Sequence, residues 1–164
     1  MSLIAMYLQE LEQESATTRK FLSIVPDDKL DWQPHPKSMT IRQLATHIAE
    51  LPTWITYGIT TDELDFAQTP YEPKVINNRA ELLAYFEECF ADGRSVLVPE
   101  NESKLSESWV LRAGDQIYMD ITKAETIRNA LSQTIHHRAQ LGVFLRLLDI
   151  PIPGSYGPSA DELS

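Results

Sequence analysis

An apolar-periodic stretch at residues 125–148 constrains the fold of this chain more than any other feature. Its apolar side chains recur about every 3.6 residues, which predicts an amphipathic helix. Gln133 and His137 lie four residues apart in this stretch, so the helix places their side chains next to each other. Such a pair needs a partner helix to complete a site, and a second apolar-periodic segment supplies His47. The apolar positions are Ile127, Leu131, Ile135, Leu141, Phe144, Leu145 and Leu148.

Three other segments also predict helices. The first covers residues 3–24, the second begins at Thr40, and the third begins at Asn78. Each of the last three helices of the chain starts with a capping residue followed three positions later by glutamine or glutamate, the pattern of a capping box. Pro52 interrupts the second helix and predicts a kink there. Four helices of this length in one chain favour an all-α four-helix bundle.

The connections between these helices are long. We expect residues 58–76 to form a loop. Residues 109–120 predict two short strands around a Gly-Asp turn, a β-hairpin or irregular insert before the last helix. The proline-rich tail at residues 151–164 cannot continue a helix and is expected to be extended.

Composition and charge exclude several classes of partner. A chain of 164 residues predicts one domain, residues 1–164, and its net charge of −10 disfavours nucleic acid and anionic membrane surfaces as partners. Its single cysteine, Cys89, lies among the apolar residues of the third helix, which favours a small buried hydrophobe over a nucleophile. The amino terminus lacks the basic region of a signal peptide, so we expect a cytoplasmic protein.

The residues alone leave the role of the histidines open. His47 is compatible with a core histidine bonded to a carbonyl group as well as with a metal ligand. His136 and His137 diverge by about 100° on a helix and cannot both face one ion. Gln133 has ligand spacing from His137, but an amide is a poor ligand for zinc or nickel.

Sequence strings near both histidine segments and in the tail change this interpretation. The string His-His-Arg-x-Gln-Leu occupies residues 136–141, and Tyr-Gly-Pro-Ser-Ala-Asp-Glu occupies residues 156–162. Together with residues 32–49, they resemble the DinB/YfiT-like metal-binding superfamily over essentially the whole chain. The resemblance implies a four-helix bundle in an up-down-down-up arrangement, commonly a homodimer. It also implies a divalent metal, nickel or zinc, held by three histidines.

The resemblance carries over to particular residues. His47 matches the first ligand of the family pattern and His137 matches the last. The middle ligand falls on Gln133, where the pattern has histidine, and an amide there would bind the metal more weakly. The site is therefore occupied with Gln133 as a ligand, occupied with water in its place, or empty.

Two function hypotheses follow from the resemblance. Family members include thiol-dependent transferases and isomerases as well as metal-dependent hydrolases. The first hypothesis is an enzyme of this kind, with a small-molecule substrate and a low-molecular-weight thiol as cosubstrate. The alternative is a non-enzymatic, stress-related bundle whose metal site has degraded at Gln133. A DNA-repair role is disfavoured by the net charge of −10.

Two further expectations concern the cavity and the assembly. Trp54 and Trp109 are expected to wall the cavity that receives a ligand, with ordinary core packing as the alternative. The last helix carries apolar residues on more than one side, at Val143, Leu147 and the outward side of Leu145, which favours a homodimer built on that helix. Its polar surface is expected to include Arg138.

Overall fold

The computed structural model describes residues 2–163 and shows a mostly helical, bundle-like fold with a small sheet at one side. No helix among these residues combines the length and the hydrophobicity needed to cross a bilayer. The helices are Leu3–Leu22 (α1), Ile41–Glu50 (α2), Thr53–Thr60 (α3), Arg79–Ser95 (α4) and Lys123–Leu147 (α5). The strands are Glu63–Asp65 (β1), Ser108–Ala113 (β2) and Gln116–Thr122 (β3).

Side-chain caps set the starts of α2, α4 and α5, as the sequence predicts. The Thr40 hydroxyl accepts the Gln43 backbone N–H, and the Gln43 side chain accepts the Thr40 N–H in return. Thr122 and Glu125 form the same reciprocal pair at the start of α5. These bonds satisfy backbone donors that have no partner within the helix.

The predicted kink at Pro52 divides the second helical segment into α2 and α3. Helix α4 crosses this break so closely that a Cβ atom at Gly93 would stand 2.3 Å from the Pro52 carbonyl oxygen. Glycine is therefore required at this crossing, and the kink and the crossing position α4 against both halves of the broken helix.

The helices enclose two clusters of buried apolar side chains. Helix α1 packs against α4 and α5, and the broken helix α2–α3 packs against the same two. One cluster joins the end of α1 with α2, α4 and the end of α5, and includes Leu22, Ile48 and Leu141. The other joins the start of α1 with α3 and the start of α5, and includes Ile55 and Ile127. Helix α5 contributes to both clusters, as its continuous apolar stripe predicts.

The loop predicted at residues 58–76 is partly wrong. Helix α3 continues to Thr60, and β1 follows at Glu63–Asp65. Strand β1 pairs in parallel with β2, which pairs antiparallel with β3 in the expected hairpin. A three-residue strand has too little periodicity to recognise, and its hydrogen-bonding partner lies more than 40 residues further along the chain.

Arg138 is not on the surface, contrary to expectation, because it is only 1% exposed. Its guanidinium donates to a Glu14 carboxylate oxygen at 2.6 Å, to the Glu14 backbone oxygen and to the Thr18 hydroxyl. A further N–H of Arg138 donates to the Tyr156 hydroxyl at 3.0 Å. This network joins α1, α5 and the tail, and we call it the Arg138 network.

The outward-facing side of α5 has fewer apolar residues than expected. Leu145 is fully buried, so its expected outward side is wrong; it lies one turn beyond Leu141 and faces the core with it. Val143 and Leu147 are more than half exposed.

The tail returns along α5, where the Arg146 guanidinium and the Ile152 N–H lower the pKa of Asp161 to about 2.

We expect Arg138→Met to destabilise the protein by about 3–5 kcal/mol, because the buried Glu14 carboxylate loses its counter-charge. Denaturation by urea, followed by circular dichroism, measures this change. The matched control is Arg128→Met on the same helix, whose ion pair with Glu10 is exposed and should contribute less than about 1 kcal/mol. Equal losses in the two variants would contradict a structural role for the Arg138 network.

Candidate functional site

The structure places His47 of α2 and His137 of α5 against each other. Their ring centroids are 4.8 Å apart and the ring planes meet at 76°. His136 is exposed and turned away along the helix, although its ring touches that of His137. The contact comes from two helices that face each other, since α2 and α5 pack directly together.

A hydrogen-bond chain orients the His47 ring. Its Nδ1 lies 2.7 Å from Glu50 Oε1, and the Tyr71 hydroxyl donates to the same oxygen at 2.5 Å. The carboxylate accepts both bonds, so Nδ1 carries the His47 proton. In the neutral imidazole this arrangement leaves the lone pair on Nε2, an atom that has no hydrogen-bond partner among residues 2–163.

The His137 ring is oriented in the same way. Its Nδ1 lies 2.8 Å from Gln140 Oε1, which leaves Nε2 with a lone pair. Burial lowers the pKa of His137, with smaller contributions from His47 and His136, and the bond to Gln140 opposes the shift. The neutral imidazole is therefore favoured at neutral pH, which is the form that binds metals.

Gln133 lies with His47 on the wall of a pocket of about 240 Å³ between α5, α3 and the hairpin, which we call the apolar pocket. The side chain of Gln133 is half-buried and makes no hydrogen bond within the described part of the chain. His137 is not among the residues that line this pocket, so of the three candidate ligands Gln133 and His47 border it.

Trp54 and Trp109 both line the apolar pocket. Trp109 is fully buried, and its indole N–H donates to the Thr61 hydroxyl at 3.0 Å. Trp54 is half-buried and also borders a second recess of about 460 Å³, which adds Met39 and Tyr71 to the lining. Because Met39 and Tyr71 are exposed, this recess connects the site with the surface.

The chemistry of the donor groups tests whether these residues fit a divalent metal. Neutral imidazole nitrogens suit zinc and nickel, and ligating histidines typically donate the N–H of the other ring nitrogen to an oxygen acceptor. Among residues 2–163, no group of three His, Cys, Asp or Glu side chains has a metal-binding arrangement. The histidine pair therefore presents two imidazole donors, and the Gln133 amide lies with His47 on the wall of the apolar pocket.

Sequence reasoning missed Glu50 and Tyr71. The spacing of His47 and Glu50, three residues apart on one helix, was available as a signal because such side chains are neighbours. Tyr71 lies in the loop before α4 and reaches Glu50 only through the fold, so no local pattern predicts it. Cys89 is buried as predicted, and burial raises the pKa of its thiol.

A third missed residue, Asp65, links the loop that follows β1 to the hairpin. One of its carboxylate oxygens accepts the backbone N–H groups of Ala67 and Gly114, both at 2.9 Å. These two bonds are the main reason why the pKa of Asp65 is lowered. Gly114 has φ +58° in the hairpin turn, a conformation that favours glycine. Asp65 thereby holds Phe66, a wall of the apolar pocket, close to the hairpin.

Comparison with known protein families identifies the family of this chain. The DinB family model matches residues 1–163. The chain belongs to the DinB family. This confirms the resemblance carried by the strings at residues 136–141 and 156–162.

One relative matches nearly the whole chain in sequence, and one solved structure matches its fold. The uncharacterized protein YrdA of Bacillus subtilis (strain 168) is 22% identical over 157 residues, which cover 95% of this chain and 89% of YrdA. The crystal structure of the DinB-like protein YjoA from Bacillus subtilis has a TM-score of 0.68 at 16% identity. That match covers 92% of this chain and 96% of YjoA.

Two further solved structures of the same fold carry functional descriptions. YfiT from Bacillus subtilis, a probable metal-dependent hydrolase with an unusual four-helix bundle topology, has a TM-score of 0.64 and 16% identity over 90% of this chain and 89% of YfiT. The mycothiol-dependent maleylpyruvate isomerase has a TM-score of 0.59 and 13% identity over 87% of this chain and 63% of the isomerase. At these identities the likeness establishes the fold alone.

We expect Asp65→Ala to loosen the outer wall of the site without unfolding the helices. The backbone N–H groups of Ala67 and Gly114 lose their common acceptor, so their hydrogen exchange should accelerate while that of α5 stays unchanged. Amide exchange followed by NMR measures both. Asp115→Ala, in the exposed hairpin turn, is the matched control; if it accelerates exchange equally, Asp65 has no special role.

Proposed function

We propose that this DinB family member binds a divalent transition metal, nickel or zinc, through His47 and His137. One observation carries the proposal: two adjacent imidazole rings from different helices each keep Nε2 free by directing Nδ1 to an oxygen acceptor. Gln133 would supply the third, weaker ligand. The carboxylate of Glu50 would support His47, as outer partners of metal-binding histidines commonly do.

The reaction class that the site supports best is metal-dependent hydrolysis or thiol transfer on a small molecule. YfiT is described as a probable metal-dependent hydrolase, and the isomerase of the same fold is mycothiol-dependent. A bound metal would supply a Lewis acid that activates water or a thiolate. The thiol would be a low-molecular-weight cosubstrate, because the Cys89 thiol is buried and is not part of the lining of the apolar pocket.

The non-enzymatic alternative is favoured by one residue, Gln133. An amide in place of a third histidine weakens the metal site, and such a bundle could serve in a stress response by binding without catalysis. Metal content discriminates between the two functions, because purified protein with near-stoichiometric metal supports the enzyme and purified protein without metal supports the alternative.

The remaining family features are also proposals for this chain. We propose one domain, residues 1–164, with four-helix bundle topology in an up-down-down-up order when α2 and α3 are taken as one broken helix. We also propose that the protein is cytoplasmic. The net charge of −10 supports the proposal that it binds neither nucleic acid nor anionic membrane surfaces.

We expect His47→Ala and His137→Ala each to abolish stoichiometric binding of zinc or nickel, because each removes a strong donor. Glu50→Gln should weaken binding by about 10- to 100-fold. Gln133→His should tighten binding, since imidazole replaces an amide. Isothermal titration calorimetry on protein treated with a chelator measures all four changes.

His136→Ala is the control for the metal experiment, since it removes an imidazole next to His137 that faces solvent. It should leave the affinity unchanged. Binding that survives the loss of His47 or His137, or that depends equally on His136, would show that the metal is held elsewhere.

We also propose that the chain forms a homodimer through the exposed face of α5. Val143 and Leu147 are 59% and 58% exposed, which is unusual for neighbouring apolar side chains on one helix face. Sedimentation should give twice the chain mass of 18.6 kDa, and Val143→Glu with Leu147→Glu should return the mass to 18.6 kDa. Ile117→Glu on β3, at 55% exposure, is the matched control and should remain dimeric. A wild-type protein of 18.6 kDa would contradict the proposal.

A further inference from the structure

We infer that the apolar pocket binds an uncharged aromatic group that carries an amide or hydroxyl substituent. The inference rests on the proposed function in one respect, since it names the substrate class of the same site. Aromatic side chains of the lining can pack against a ring, and a polar side chain can bond to its substituent. The lining has no charged side chain to pair with an ionised group. Each property points to this class of ligand.

The size and walls of the pocket suit an aromatic ring. An apolar cavity of about 150 Å³ holds benzene, so about 240 Å³ admits a substituted ring. The indole rings of Trp54 and Trp109 and the ring of Phe66 border this space. Aromatic rings gain from offset or edge contacts with one another beyond the area they bury. Because the Trp109 N–H is already bound to Thr61, Trp109 offers the pocket only apolar surface.

The lining contains no Asp, Glu, Lys or Arg side chain. In the protein without metal, a carboxylate or ammonium group in this space would lose water without gaining a counter-charge, which is costly. The charged part of a ligand would then have to stay outside, toward the second recess. The metal-free pocket therefore selects against ionised groups.

Asn129 supplies the polar contact. It lies four residues before Gln133 on α5, so the two amide groups stand side by side on the pocket wall. The Asn129 amide N–H donates to the sulfur of Met119 at 3.1 Å, and a thioether is a weak acceptor. Its carbonyl oxygen has no hydrogen-bond partner among residues 2–163. A ligand amide or hydroxyl can satisfy both groups of Asn129, which makes Asn129 the specificity-determining residue.

Benzamide, toluene, benzoate and benzylamine test the inference on chelator-treated protein. In NMR titrations the indole N–H signals of Trp54 and Trp109 should shift with benzamide, while that of Trp32, which packs outside the pocket against Phe144, should not. Benzoate and benzylamine should bind at least about tenfold more weakly than benzamide. No shift at Trp54 and Trp109, or equal affinity for benzoate, would overturn the inference.

Variants of α5 test the individual contacts. Asn129→Leu should weaken benzamide binding about three- to tenfold and leave toluene binding unchanged or tighter, since one neutral hydrogen-bonding group is lost. Ala130→Leu should block all the probes by filling the pocket. Because Ala130 also packs in the core, a folded Asn129→Leu variant keeps the test valid if Ala130→Leu unfolds. An unchanged preference for benzamide over toluene in Asn129→Leu would overturn the role of Asn129.

Gln9→Leu, which replaces an exposed amide on α1, is the matched control and should bind benzamide like the wild type.

The experiments distinguish a failure of the proposed metal site from a failure of the proposed aromatic site. Aromatic binding without metal binding would reject only the metal centre, and metal binding without aromatic binding would reject only the present inference.

Discussion

The Arg138 network is the interaction on which the geometry of this molecule depends. A guanidinium with almost no exposure is stable only where hydrogen-bond acceptors and a counter-charge replace water. Glu14, Thr18 and Tyr156 accept four N–H bonds of Arg138 from α1 and the tail, and the Glu14 carboxylate is the counter-charge. Since Arg138 must point to α1, His137 is turned by about 100° around the same helix and meets α2 instead. A structural contact on one side of α5 thus sets the direction of the His137 side chain on the other.

Different faces of helix α5 accordingly contact different parts of the molecule. The residues that line the apolar pocket, from Thr126 to Gln133, form one stripe that leads toward His137. The helix alone cannot enclose that stripe, because α3 covers only part of it. The hairpin and β1 complete the enclosure, and Asp65 ties them together through backbone N–H groups of both segments. The sheet is small, yet it supplies Trp109 and Met119 to the site.

The sequence predicted the features that depend on neighbours in the chain. The caps at Thr40 and Thr122 and the break at Pro52 follow from local hydrogen bonding and sterics, and the structure has all three. Features that depend on distant partners were missed. Arg138 was assigned to the surface because arginine is rarely buried without a partner, and Glu14 lies 124 residues away. The meeting of His47 and His137 was expected from the family pattern, whereas Tyr71 on Glu50 had no signal in the sequence.

The direction of the hydrogen bonds at Glu50 links the loop to the chemistry proposed for the histidines. Burial, together with the bond to Glu50, raises the pKa of Tyr71, so its hydroxyl stays protonated and donates. Glu50 then remains an acceptor for the Nδ1 proton of His47, and the lone pair stays on Nε2. A displacement of Tyr71 in the loop before α4 would therefore alter the orientation of His47 through two short hydrogen bonds, although Tyr71 does not bond to the ring itself. The loop is both a border of the surface recess and a support for the orientation of the first proposed ligand.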